Sequence, residues 1–297
     1  MRSVGIKLLA LLLSSLLVLC SCGSFVSSVT PDKPQKVAVL LSSLAEMWQE
    51  AGGTVDITVG ETVERGLVPQ STPTVDSGAG KTVNTELLIS LKPDLVICSA
   101  DIPAQVEAEA ILRDTGTPTL LLHVETLTDY VNALKQMTDI TGNRKAYENA
   151  VAMRERIDAL IETTQPTLSD TDILFVRAGS TAASTKAKSS QDHFAAAMLK
   201  ELGCNNLADQ APLSLDTVGM ESILIADPDF IFFSLMGDET AAKANIEALL
   251  LTDTWQALSA VQNGRYAILD RSLFHFKPCQ RWETAYHTLI SLLINKF

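Results

Sequence analysis

The sequence predicts an α/β protein of two lobes with mostly parallel sheets, joined by one long helix, and three features carry that prediction. Short apolar runs alternate with amphipathic stretches from residue 37 to residue 122, the signature of strands connected by helices. Residues 126–166 interrupt the alternation with two consecutive helical patterns. The alternation restarts at residue 172 and runs to the C-terminal region.

In the first lobe, Val37–Leu41 (VAVLL) is a strand candidate followed by the helical stretch SSLAEMWQEAGG, with its glycines as the stop. Asp56–Val59 is a second strand, Thr85–Leu91 a short helix and Asp94–Cys98 (DLVIC) a third strand. Pro103–Asp114 is a helix and Thr119–Leu122 a fourth strand. Thr126–Thr141 and Arg144–Thr164 are the two consecutive helices, separated by Gly142. On the second, Tyr147, Ala150, Val151, Ile157, Leu160 and Ile161 recur at helical spacing. About 21 helical residues span roughly 32 Å, enough to cross two lobes. The second lobe then offers strands at Asp172–Val176, Phe230–Ser234 and Tyr266–Leu269. Its helices are expected at His193–Leu202, Met220–Ala226, Thr240–Leu250 and Glu283–Asn295. The expected organisation is 1–21 signal, 22–35 tether, 36–141 first lobe, 142–166 bridging helix and 167–297 second lobe.

Arg2 and Lys7 precede an apolar run, Leu8–Leu19, that is too short to span a membrane comfortably. Leu19-Cys20-Ser21-Cys22-Gly23 follows and resembles a bacterial lipobox. That resemblance implies cleavage after Ser21, a lipid (palmitate among its chains) on Cys22, and an extracytoplasmic protein anchored to the bacterial cell membrane. An ordinary cleaved signal peptide is the alternative. Residues 23–35 (GSFVSSVTPDKPQ) have no helical or strand period and read as a tether.

Removing residues 1–21 takes away Arg2 and Lys7, leaving 21 basic and 35 acidic residues, a net charge of −14. Such a chain is a poor match for nucleic acid, whose binding rests on Lys and Arg. Of the five cysteines, Cys20 leaves with the signal and Cys22 is the acylation candidate. Cys98, Cys204 and Cys279 remain, with no CxxC spacing for a disulfide framework or a zinc site.

One short element recurs, a helix followed by a Pro-Asp step and an apolar strand. It appears first as Asn84-Thr85-Glu86-Leu87-Leu88-Ile89-Ser90-Leu91-Lys92-Pro93-Asp94-Leu95-Val96-Ile97. It returns as Gly219-Met220-Glu221-Ser222-Ile223-Leu224-Ile225-Ala226-Asp227-Pro228-Asp229-Phe230-Ile231-Phe232. With Trp255-Gln256-Ala257-Leu258, Ala260–Asp270 and Phe274–Trp282, this pattern resembles the helical-backbone class of ABC-importer substrate-binding proteins over residues 36–297. That class includes binders of ferric siderophores, haem and cobalamin. The resemblance implies a ligand cleft between the lobes, no catalytic activity and no resident cofactor. It also implies a monomer that delivers its ligand to a permease with ATPase subunits. The ligand implied is an iron chelate, siderophore or haem, with a corrinoid as the alternative.

Glu86 and Glu221 hold matching places in the two recurring elements, and the resemblance implies that they dock on arginines of the permease. A helix dipole alone would also favour a carboxylate near a helix start, by about 0.3–1 kcal/mol. Arg177 follows a second-lobe strand, Lys186, Lys188 and His193 lie in the connection after it, and Lys277 and Arg281 flank the last helix. In open α/β sheets ligands bind outside the carboxyl ends of strands. Arg177, Arg281, Lys277, His193, His275 and Trp282 are therefore the ligand-binding candidates, with solvated or packed side chains as the plain alternative. His275 or His193 could ligate a metal, although no metal site is directly assigned. Met47, Trp48 and Met236 suit a pocket wall and a core equally. Residues 78–82 (GAGKT) resemble a phosphate loop, but Val75 stands where the leading Gly belongs. No GxSxG, HExxH or paired-carboxylate arrangement points to an enzyme.

Overall fold

Three parallel strands, β1 (Val37–Val39), β2 (Leu95–Ser99) and β3 (Thr119–Leu122), form the first sheet in that order. Their side chains alternate between two cores. Val37, Val39, Leu95, Ile97 and Leu122 face a central core, whereas Ala38, Leu40, Val96 and Cys98 face an outer one with Ile57 and Leu112. Burial on both faces is what makes parallel strands read as continuous apolar runs. This computed structural model describes residues 33–76, 82–210, 215 and 217–295. The signal segment, Cys22, most of the tether and residues 78–81 lie outside the described residues.

The second sheet contains β4 (Asp172–Ala178), β5 (Lys186–Ala187), β6 (Asn205–Asn206), β7 (Phe230–Leu235) and β8 (Tyr266–Ile268). Its order is β5-β4-β7-β8, with β6 also on β4, and all pairings are parallel except the β4–β5 hairpin edge. Here too the faces divide. Ile173, Phe175, Phe230 and Phe232 enter the central core, while Leu174, Val176, Ile231 and Phe233 build an outer one with Trp255 and Ile246.

The central core runs without interruption from one sheet to the other. It takes in Leu44 and Met47 of the helix Ser42–Glu50, Met153 and Ile157 of the long helix, and Trp282 and Tyr286 of the last helix. The two sheets are thus tied together by shared packing as well as by one helix.

The long helix is Arg144–Leu168, 25 residues, or about 38 Å. It continues past Pro166, where the sequence predicts a stop at Thr164. Pro166 removes one N–H in the last turn, opposite the carbonyl of exposed Glu162, which water can satisfy. Leu168, 2 % exposed, anchors that turn in the core. The strand expected at Asp56–Val59 is reduced to single bridges, Ala38 with Ile57 and Thr58 with Thr74. The helix Gly60–Glu64 begins too soon for a longer pairing.

The recurring element is also a structural repeat. Lys92 and Asp227 both adopt the left-handed conformation, φ 50° and 42°, as they end their helices. Asp94 then accepts the Lys36 N–H and donates its own N–H to the Lys36 carbonyl, at 2.9 and 2.8 Å. Asp229 makes the same two bonds with Asp172, at 2.9 and 2.8 Å. Each aspartate fixes the start of its strand to the neighbouring one. The repeat differs in one respect from expectation: the second helix starts at Thr217, so Glu221 lies one turn inside it, whereas Glu86 is in the first turn of Thr85–Ser90.

Candidate functional site

All three strands of the first sheet end on one side, and the segments leaving them enclose a pocket of about 170 Å³. Leu41, Met47, Ser99, Asp101 and Glu125 line it, and Lys277 of the second half of the chain closes it. Lys277 Nζ lies 2.6 Å from Glu125 Oε2, with the two side chains 17 % and 30 % exposed. It also stands 5.0 Å from the Phe194 ring. Burial pulls the Lys277 ammonium below its ordinary pKa, and Glu125 opposes that shift. Asp101 meets His123 Nδ1, and Asp129 lies 3.7 Å from the other ring nitrogen. The Asp101 contact pushes the His123 pKa up.

Opposite this wall, Arg177 sits near the carboxyl end of β4, on the same face of the strand as Phe175. Its guanidinium is half-buried and makes no hydrogen bond or ion pair among the described residues. Burial lowers its pKa, and Glu125 is the acid that opposes this. A half-buried charge with no protein partner among the described residues is held less favourably than a paired one.

Two further contacts join the lobes here. Arg65, held by Ser42 at 3.0 Å and Glu46 at 2.7 Å, stacks over the Phe276 ring at 4.1 Å. Cys279 Sγ donates to the Ser43 carbonyl at 3.6 Å. Cys279 has φ 53°, a left-handed conformation that Asn adopts more readily than Cys.

The remaining candidates divide sharply. His193 is buried and caps the helix Phe194–Glu201 by accepting the Ala195 N–H at 3.2 Å. Burial, with Arg177 and Lys277 nearby, holds it well below the ordinary pKa of imidazole. His275 binds the Leu235 carbonyl through Nδ1 at 2.8 Å and faces Arg271 at 3.4 Å through Nε2. Burial is the main cause of its lowered pKa. Arg281 commits its guanidinium to the Ser272 carbonyl at 2.6 Å and the Ser272 hydroxyl at 3.3 Å. Trp282 has no exposed surface and packs against Tyr130 and Phe194. Met47 and Trp48 are buried, Met47 lining the pocket, and Met236 is half-buried after β7. No group of three or more His, Cys, Asp or Glu side chains among the described residues is arranged to hold a metal. The structure therefore brings Arg177 and Lys277 toward one site and places His193 and Trp282 behind it, in the core.

Glu125 and Asp101 line this pocket, Arg65 and Phe276 join the two halves of the chain, and none of the four was among the sequence candidates. The rule that pointed to Arg177 also reaches Glu125 and Asp101, since both follow parallel strands at their carboxyl ends. Glu86 and Glu221 are exposed. Each lies in the N-terminal half of a helix that leads into a sheet strand, and such a helix starts at the carboxyl-end side of its sheet.

The profile of the periplasmic binding protein family matches residues 37–273, and the chain belongs to that family. No curated protein matches by sequence. Solved structures share the fold. The periplasmic vitamin B12 binding protein BtuF of Vibrio cholerae is 18 % identical with a TM-score of 0.68, over 89 % of this chain and 98 % of that one. The apo periplasmic heme-binding protein RhuT from Roseiflexus sp. RS-1 is 17 % identical with a TM-score of 0.68, over 88 % and 98 %. A periplasmic heme binding protein from Pseudomonas aeruginosa is 20 % identical with a TM-score of 0.68, over 87 % and 92 %. The fold is that of an ABC-importer substrate-binding protein, a class that works outside the cytoplasm and binds its substrate without converting it.

Proposed function

We propose that this protein captures an anionic metal chelate, an iron siderophore or haem, between its lobes and delivers it to an ABC permease. The observation that carries the reading is Arg177, a half-buried guanidinium at the carboxyl end of β4 that has no hydrogen-bond or ion-pair partner among the described residues. Lys277 adds a second, largely buried cation on the same side. Both lie where ligands of open α/β sheets bind. The structural relatives include a vitamin B12 binding protein and heme-binding proteins, and both ligand types suit a cleft of this architecture. The test is equilibrium titration with ferric tris(catecholate), haemin and cyanocobalamin, read by quenching of tryptophan fluorescence. One of the two anionic iron chelates should bind with a Kd of about 1 µM or tighter, close to 8 kcal/mol. Cyanocobalamin binding more tightly than either would replace this reading with a corrinoid.

The pocket of about 170 Å³ is smaller than such a ligand, so loading separates the contacts that now join the lobes. In this reading Cys22 carries the lipid that holds the protein at the cell membrane, and Glu86 and Glu221 seat it on the permease. For the anchor, Cys22→Ala should abolish labelling by alkyne-modified palmitate, and equal labelling would remove the assignment.

A further inference from the structure

Lys277 and Arg177 belong to the second half of the chain, yet the acid paired with Lys277 comes from the first lobe. Glu125 holds Lys277 at 2.6 Å, and it is the acid whose field reaches Arg177. We propose that Glu125 is a resident counter-ion that fills the anion site of the empty cleft, and that an anionic group of the ligand replaces it on Lys277 and extends to Arg177, which Glu125 does not touch. The proposal rests on the anionic-ligand reading above and deepens it.

Several features make Glu125 a replaceable partner instead of a structural one. Its backbone is fixed independently: the Glu125 N–H donates to Asp129 at 3.1 Å, and the adjacent Thr126 forms a capping box with Asp129. The carboxylate can therefore leave Lys277 without unravelling the start of the helix Leu127–Thr141. Its side chain is 30 % exposed and borders the pocket, so a hydrated position lies within reach. Lys277, at 17 % exposed, has no comparable escape and needs an anion whenever Glu125 departs. The exchange also imposes selectivity. Asp101 lines the same pocket, so the first-lobe wall repels an anion that fails to reach both basic groups. A neutral ligand brings no charge to replace Glu125 on Lys277. Such a built-in competitor raises specificity while lowering affinity.

The test uses citrate, a metal-free tricarboxylate, titrated calorimetrically into the whole protein and its variants. Glu125→Gln vacates the anion site and should bind citrate about 10- to 150-fold more tightly than wild type, the range for a hydrogen bond to a charged group. Adding Lys277→Met to that variant should erase the gain. Equal or weaker citrate binding by Glu125→Gln, or a gain that survives Lys277→Met, overturns the proposal. Should Glu125→Gln fail to fold, Glu125→Asp retains the charge on a shorter arm and should show a smaller gain, and no gain there is equally adverse. Parallel titration with ferric tris(catecholate) separates the two readings. A citrate gain with no ferric chelate bound by any variant leaves the counter-ion standing and removes the chelate. Wild-type binding of the ferric chelate with no gain for either anion in the variant does the reverse.

Discussion

Arg65 lies over the ring of Phe276 across the lobe boundary, the guanidinium carbon 4.1 Å from the ring centre. Lys277 with Glu125, and Cys279 with Ser43, cross the same boundary. Arg156 adds a two-pronged ion pair from the long helix to Glu283 of the last helix, at 2.7 and 3.0 Å. Loading separates contacts at the cleft, but the common core and the long helix beneath them restrict the lobes to small rotations. Small-angle scattering of free and loaded protein should differ by at most about 1 Å in radius of gyration, against roughly 18–19 Å for a domain of this length. A change of several Å would show that the long helix bends.

Arg177 supplies a prediction with two signs. Arg177→Met should weaken binding of the anionic chelate about 10- to 150-fold, because a charge-assisted hydrogen bond is lost. The same substitution should leave thermal stability unchanged or raise it, since a half-buried charge with no partner among the described residues is replaced by an apolar chain of similar length. Calorimetric titration and a thermal melt of one sample check both. A variant that loses stability and keeps its affinity would place Arg177 in the scaffold.

Two buried groups give stability opposite dependences on pH. Glu50 accepts the Tyr130 hydroxyl at 2.6 Å, while its other oxygen is buried with no hydrogen-bond partner among the described residues. Burial raises its pKa from 4.5 to about 7, with Tyr130 opposing. The folded protein thus keeps a proton that the unfolded chain releases. This contribution is full below pH 4.5 and is lost as pH rises through about 7. His193 has a lowered pKa, so its contribution is full above the ordinary value of 6.5 and fades as pH falls below it. Glu50→Gln should therefore melt higher than wild type at about pH 8 and nearly equal to it at about pH 4. A pH-independent difference between the two proteins would remove Glu50 as the titrating group.

Trp282 distinguishes packing from ligand contact. It is fully buried between Tyr130 and Phe194, so Trp282→Ala should cost about 3–5 kcal/mol of stability. Trp282→Phe should retain most of the stability and bind the chelate as wild type does. Denaturant unfolding and titration of both variants check this. A stable Trp282→Phe protein with lost affinity would return the residue to the binding wall.

The legible part of this protein was the part governed by periodicity. Phe230–Leu235 and Asp172–Ala178 bury both faces and announce themselves as apolar runs, and the spacing of Ala150, Ile157 and their neighbours gives the long helix. Asp56–Val59 carries a strand-like composition but pairs only through single bridges, because the helix that begins at Gly60 cuts the pairing short. The position of Arg177 near the end of β4 was legible because strand ends are visible in sequence. Trp282 and His193 look like site residues in one dimension, since aromatic and imidazole side chains serve walls and cores alike. Their commitment to the core depends on Phe194, Tyr130 and Ser234, residues that the fold gathers around them. Glu125 was hidden for a related reason: its importance comes from Lys277, far along the chain and on the other lobe.

Glu86 and Glu221 should matter for transport and not for capture. Both are exposed on helices of the repeated element. Replacing both with Ala should leave chelate affinity nearly unchanged and cost a few tenths to about 1 kcal/mol of stability at each helix. Uptake by reconstituted transporter should fail, because complementary charges set the register of association. Wild-type uptake by the double variant would end the docking assignment, and collapsed affinity would move these carboxylates into the cleft.

Capture of an anionic metal chelate between the lobes at Arg177 is decided by native mass spectrometry of the protein purified from its own host, beside Arg177→Met prepared identically. The expected spectrum shows a one-to-one complex with a negatively charged, iron-containing small molecule in the wild type and loss of that mass in the variant. A co-purifying molecule that lacks both metal and negative charge, or one retained in full by Arg177→Met, would refute capture of this kind.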